Sequence, residues 1–294
     1  MKSVLPVLAF ILLSLSPLAA RADSGVIGTI LEVEGTATRT VGGTTAPLKL
    51  NDTIGENDVI STGLKSRLFI LFIDDTQLTM GENSRFKATD FDFDDKDATH
   101  NHARYSFLTG TFNYMSGLMT KKPDPDVKIE TVFGSIGVRG TRLWAGDVDQ
   151  GYGVHVDEGV VDVANTGGTV TVKAGQGTDL RSRRIAPTRA AGWTRERRQR
   201  MQQTVALKDE GLVGRRVAQQ GARQAQLREK YRALMQQRHG ALNRNGQSGL
   251  RQNGSGALQP RQEQRQEQRQ ENLQEKLDEK REERLEKRRR WFNQ

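Results

Sequence analysis

The chain has 294 residues, no cysteine and a formal net charge of +9 at pH 7. The absence of cysteine excludes a disulfide framework, a thiolate nucleophile and a thiolate zinc site, and the length suits one or two domains. The charge is divided: residues 23–180 hold 14 Lys and Arg against 23 Asp and Glu, and residues 181–294 hold 29 against 13. An acidic globular part is therefore joined to a basic tail.

Residues 1–22 read as a secretory signal peptide. Lys2 is the positive start, Val4 to Leu15 is an apolar run short of a membrane span, and Ala20-Arg21-Ala22 is a small-x-small cleavage site. An uncleaved anchor is the alternative. No later run is long enough to cross a membrane as a helix, so the expected mature protein is soluble and periplasmic or secreted.

Residues 23–180 are expected to form an all-β domain, a β-sandwich or short β-solenoid of short strands. Segments such as Val26–Val33, Arg67–Ile73, Gln77–Met80 and Tyr105–Leu108 alternate apolar and polar residues and are separated by Gly- and Asp-rich turns. Glu34-Gly35-Thr36, Thr109-Gly110-Thr111 and Glu158-Gly159-Val160 each lie between short apolar strands and read as equivalent tight corners.

The densest pattern runs from Lys128 to Trp144. Ile136, Val138 and Thr141 read as strand, whereas Gly134, Gly137 and Gly140 mark bends or close approaches of the backbone. Arg139 stands between two glycines with five donors, fit to tie carbonyls at a glycine corner or to face a partner's carboxylate. Val154 to Val163 follows as two short strands joined across Glu158-Gly159, and Ala174-Gly175-Gln176 closes the run.

This order of motifs resembles the FecR domain family. The matching residues are Thr131, Val138-Arg139-Gly140-Thr141, the hairpin around Gly159 and Ala174-Gly175-Gln176, preceded by Asp58 to Gly63 and Leu71 to Met80. Val132 stands where the family usually has proline, and Asp75 where glycine is common. The resemblance covers residues 26–180. Family members typically join a cytoplasmic anti-sigma segment, one membrane helix and a periplasmic domain that receives a signal from a TonB-dependent transporter. Here the signal peptide occupies the place of the first two parts, so the regulatory role does not carry over. What the resemblance implies is a protein-interaction module outside the cytoplasmic membrane, with Arg139, Gly140, Thr141, Trp144, Glu158 and Gly159 as the candidate binding residues.

Other chemistry is thin. Asp90 to Asp97 with His100 and His102 is the densest group of potential ligands, but Asp95 and Asn101 stand where a calcium loop needs glycine and glutamate. A solvated acidic strand edge is the favoured reading, with no metal and no cofactor. His155 reads as a structural histidine. No serine lies in a nucleophile elbow, and the glycines of 134–140 do not lead into a helix, so neither a hydrolase nor a nucleotide site is expected.

Residues 181–242 read as a basic helical segment that Thr194 would cap and that runs to about His239. Gly192-Trp193 would dock its start on the domain. Residues 243–260 read as a flexible linker and 261–294 as a charged polar helix, partly disordered, with coiled-coil spacing too sparse to commit to. The tail would meet anionic lipid, a cell-wall polymer or its own acidic domain, and no specific nucleic acid. The expected function is a non-enzymatic periplasmic interaction or scaffold module with an envelope protein partner. The alternatives are binding of envelope polysaccharide or peptidoglycan, or an accessory role in iron-uptake signalling.

Overall fold

The computed structural model describes residues 25–251 except 123 and 150, and side chains up to residue 238. The signal peptide read over residues 1–22, the end of the linker and the charged helix over residues 261–294 lie outside the described residues.

The chain is mostly strand, as the alternation requires. In order come β1 (Val26–Glu34), β2 (Ala37–Val41), β3 (Thr44–Pro47), β4 (Thr53–Gly55), β5 (Val59–Thr62), β6 (Arg67–Phe72), β7 (Gln77–Met80) and β8 (Arg85–Asp92). They are followed by β9 (His102–Thr109), β10 (Phe112–Met115), β11 (Asp126–Thr131), β12 (Ser135–Val148), β13 (Gly151–Asn165), β14 (Gly168–Lys173), β15 (Gln176–Leu180) and β16 (Ala191–Gly192). Three helices close the described chain: α1 (Arg195–Gln203), α2 (Glu210–Gln219) and α3 (Gly221–Arg251).

All the strands join one sheet that curls over on itself. One face-to-face layer runs β3-β2-β5-β8-β9-β11, then the first part of β12, the last part of β13, and β14. The other runs β4-β1-β6-β7-β10, then the last part of β12, the first part of β13, β15 and β16. Aromatic rings fill the space between. Phe72 of the second layer lies 6.1 Å from Phe86 and 5.3 Å from Tyr105 of the first, and Phe107 stacks on Phe112 at 3.7 Å. Each such pair adds about 0.5–1.5 kcal/mol beyond the area it buries.

The expected corners are present, and their chemistry is legible. The chain passes between layers at Gly35, Gly63, Gly81 and Gly110, all at one end of the sheet by the strand register. A chain leaving one ladder for another has N–H groups without a strand partner. Here hydroxyls accept them: the Thr36 N–H donates to Ser66 Oγ at 2.9 Å, the Ser84 N–H to Thr62 Oγ1 at 2.9 Å, and the Thr111 N–H to Ser84 Oγ at 3.0 Å. At the opposite end the corners are Gly140, Gly159 and Gly175. The short strands read on either side of Gly140 and of Glu158-Gly159 are in fact continuous. β12 and β13 each bend there and contribute to both layers, because the paired bends shift register together and keep the ladder intact.

The basic segment packs on the acidic domain as α1, α2 and the start of α3. One helix to about His239 was expected. The chain instead breaks at Ala206 to Asp209, where the Asp209 carboxylate accepts the Leu212 N–H at 2.7 Å and starts α2. Thr194 caps α1, accepting from the Arg197 N–H. Arg197 pairs with Asp179, Arg216 with Glu32, Arg228 with Asp75 at 2.7 Å, and Arg232 with Asp94 at 3.0 Å and with Asp95. These pairs are partly exposed, each worth about 0–1 kcal/mol. They set register, while buried Trp193, Val213 and Tyr231 supply the larger apolar term. The first compact unit therefore runs to Gln237. Residues 238–251 continue α3 as helix, covering part of the stretch read as a linker.

The acidic stretch 90–97 is a strand edge only at its start: β5 pairs β8 over Arg85 to Lys87, so Asp90 to Asp92 pair with β9 alone, and the remaining aspartates crowd the turn into β9. Burial alone would raise the Asp94 carboxyl, but the Lys96 N–H and the Arg232 guanidinium outweigh it and hold it below the usual range.

Asp74, in the β6–β7 turn, is fully buried and accepts from the Thr76 N–H at 3.1 Å and hydroxyl at 2.7 Å. Burial pushes its carboxyl up to about 6. A raised carboxyl favours folding below its unfolded value and loses that contribution as pH rises through its folded value. The window is therefore about pH 4 to 6. Asp74→Asn keeps the shape and an acceptor, and is expected to be more stable than the parent at pH 7 by up to about 3 kcal/mol, with the difference vanishing below pH 4. Urea midpoints of both proteins at pH 4 and pH 7 check this, since every other carboxylate cancels in the comparison.

Candidate functional site

The outward face of the second layer explains where the helices lie. Strand register aligns Phe69, Thr79, Asn113, Trp144 and His155 in one row across β6, β7, β10, β12 and β13. Phe69 and Trp144 in this row are apolar, and Thr79 and Asn113 between them are polar. At one end Val213 of α2 packs with Leu31, Phe69 and Leu71; at the other Trp193, Met201 and Val205 pack with Trp144 and Val148. The helices cover what must be buried, and between them the polar middle stays open.

The result is a groove of about 810 Å³. Its floor is Gln77, Thr79, Asn113 and Met115, with Arg142 and Asp157 at the side. Its walls are Gln199, Gln202 and Gln203 from α1, then Val205 and Leu207 from the break, and Glu210 and Val217 from α2. A second hollow of about 440 Å³ shares Asp157, Gln199 and Gln202 with the first and continues to His155, Arg195 and Arg198. The floor strands are interior to the sheet, so their backbone groups are paired and recognition falls to side-chain amides, hydroxyls and charges.

Trp193 fixes the α1 wall. Its indole lies on Gly153 of β13 and Gly177 of β15, where any Cβ would overlap the ring. The Arg197 guanidinium sits 3.6 Å above the ring centroid, Trp144 meets it edge-on at 6.2 Å, and His155 lies 5.2 Å away. His155 is 1% exposed, with Nδ1 3.3 Å from Asp157 Oδ1. The structural-histidine reading matches this packing.

The residues singled out in the sequence gather at the Gly140/Gly159 corner beside the groove, although they do not line it. Gly140 and Gly159 both have positive φ, and a Cβ on Gly159 would overlap the Gly140 carbonyl oxygen. Thr141 is buried, its N–H donating to Ser116 Oγ at 2.9 Å. Trp144 is fully buried and donates from Nε1 to Thr204 Oγ1 at 3.0 Å, so it supports the floor and presents no surface. Glu158 is exposed and pairs at 3.8 Å with Arg142, a groove residue.

Arg139 ties no carbonyl. Its side chain is 66% exposed and reaches Asp162 at 3.6 Å, because the alternation set by inward-facing Ile136 and Val138 turns the next residue to solvent. Arg139→Ala is accordingly expected to change stability by no more than about 0.5 kcal/mol in a thermal or urea melt. The groove amides were not singled out from sequence. Their signal is the polar alternation Gln77, Thr79, Asn113 on strands whose outer face a helix approaches.

Residues 58–162, from the start of β5 into β13, match the family described as FecR protein. The all-β part of this chain thus contains a FecR domain, as the order of its motifs implies. Among solved structures, two described as an anti-sigma factor of Parabacteroides distasonis are similar at 12% and 10% identity, with TM-scores of 0.37 and 0.36. Each alignment covers 46% of this chain, which spans 59% of the length of those structures. A cell surface anchoring domain is 30% identical over 21% of this chain and 84% of its own, with a TM-score of 0.21. No curated protein sequence matches this chain. No described helix is long and apolar enough to cross a membrane, and no group of three or more potential metal ligands occurs among the described residues.

Proposed function

We propose that this protein is a non-enzymatic binding module of the cell envelope, and that its FecR domain holds a segment of a partner protein in the groove beneath α1 and α2. The observation that carries this reading is the open polar strip of sheet between two helices that cover most of the apolar surface on either side. A surface with only a covering role would be covered throughout. The corner of Arg139, Gly140, Glu158 and Gly159 adjoins the groove through the Arg142–Glu158 pair and serves as a second contact for the same partner.

The test is a photo-crosslinking residue in place of exposed Gln202 in the groove wall, compared in intact cells with the same residue in place of exposed Thr45 on β3. A discrete protein adduct from position 202 that is missing from position 45 is expected. Equal adducts from both positions, or none from 202, would sink the proposal.

A second reading follows from the groove's amide content. Gln77, Asn113, Gln199, Gln202 and Gln203 pair as well with sugar hydroxyls as with peptide groups, so envelope polysaccharide or a peptidoglycan fragment is the alternative ligand. It lacks an exposed aromatic in the groove, since Phe69 is buried. An accessory role in iron-uptake signalling rests on the family resemblance.

A further inference from the structure

Resting on that reading, the geometry points to the chemistry of the partner segment: we infer that the groove takes an extended peptide with an apolar anchor at one end and an acidic group at the other. The two hollows share Asp157, Gln199 and Gln202 and so adjoin, giving one run of lining residues. Its character changes along its length. At the α2 end the lining is Phe69, Leu207, Val213 and Val217; the middle is amide; the far end carries Arg195 and Arg198.

The far end is cationic by construction. Arg197 and Arg200, on the same helix, are spent on Asp149 and Asp179. Arg195 and Arg198 form no salt bridge with the β domain among the described residues, and they rim the hollow whose base is His155. The first turn of α1 adds the positive end of its helix there. Asp157 also lines this hollow and pairs with His155, so two guanidinium groups face one carboxylate there.

The register sets the ligand's reach. From β6, which carries Phe69, to β13, which carries Asp157 and His155, the open floor crosses four strand spacings by way of Gln77, Met115 and Arg142, roughly 19 Å. An extended peptide covers that in roughly six residues. The middle amides would hold the intervening peptide groups, which every sequence has, leaving selection to the two ends.

The experiment uses the full-length protein and fluorescent peptides of about ten residues, each with one Leu and one Glu in a Ser-Gly background. Their separation varies from about two to about eight positions, and binding is followed by anisotropy. The strongest binding is expected near a separation of about five or six, in one of the two orders, Leu before Glu or the reverse. R195E/R198E changes one exposed and one half-buried side chain. It is expected to weaken the best peptide about tenfold and to restore binding to the version with Lys in place of Glu. Flat dependence on spacing, or an R195E/R198E protein that binds the Glu peptide unchanged, overturns the inference. If the Gln202 adduct forms under these conditions, the proposed function stands while the peptide chemistry falls. Binding of soluble peptidoglycan fragments in place of every peptide hands the groove to the sugar reading. If neither adduct nor peptide binding is seen, both proposals fail.

Discussion

Trp193→Ala should lower the unfolding free energy by roughly 3–5 kcal/mol and, in the same protein, abolish the groove-specific crosslink. The indole is the largest apolar group that ties the start of α1 to the sheet. It is 9% exposed, fills the slot above Gly153 and Gly177, and carries the Arg197 guanidinium on its outer face. Two glycines facing one ring leave nothing that can collapse into the space when the ring is removed, so the cavity cost adds to the lost transfer energy. Trp144 and Met201 would lose their main neighbour as well. The measurement is a urea titration followed by far-ultraviolet circular dichroism, together with limited proteolysis across residues 181–210. An unchanged midpoint would mean that the ion pairs of α1, and not the indole, hold that helix. A lowered midpoint with the crosslink intact would mean that the α1 wall is not part of the binding surface.

Gly159→Ala is the second large effect, and Gly43→Ala is its control. Both glycines have φ of +83°, so both substitutions pay the left-handed backbone cost of about 1–2 kcal/mol. Around Gly43 a methyl group meets nothing within 4 Å. At Gly159 it overlaps the carbonyl oxygen of Gly140, a backbone atom of the paired bend that cannot rotate away, and the Thr141 methyl group. To relieve the overlap, β12 and β13 must separate at the point where both pass between layers. We expect Gly159→Ala to cost at least about 2 kcal/mol more than Gly43→Ala, read as the difference in urea midpoints. Equal losses would mean that the paired bend is soft. It would then not be the feature that fixes how the two layers join.

Most of the strands, the corners at Gly35 and Gly110, the Thr194 cap and the docking of Trp193 were readable in the chain, because each depends on local chemistry; Gly159, read as an equivalent corner, instead lies in a bend of continuous β13. Alternation follows from one face being buried, a corner needs a glycine with hydroxyls beside it, and a helix start needs an oxygen to accept its first N–H groups. The FecR domain was readable for the same reason, as a fixed succession of such local signals. The charge division was visible too, but not its use. Which arginine meets which aspartate depends on how the helices lie across the sheet, and Arg232 and Asp94 are far apart in sequence.

The groove is a property of the tertiary structure alone. Its floor comes from β7 and β10, its side from β12 and β13, and its walls from helices about a hundred residues later in the chain. No local rule says that a polar strip will be left open when its two apolar flanks are covered. Arg139 shows the converse. Standing between glycines it looked like the organiser of a corner, yet the strand's two-residue alternation turns it outward, and the corner is held by Gly140 and Gly159 through a backbone-to-backbone approach. The amino-acid sequence determined that this chain would form a two-faced β domain with a basic, partly helical extension. The tertiary structure decided which face that extension covers and which part stays free for a partner. The reason is that burial and turn chemistry act between near neighbours, whereas a binding surface is the remainder after distant elements have packed.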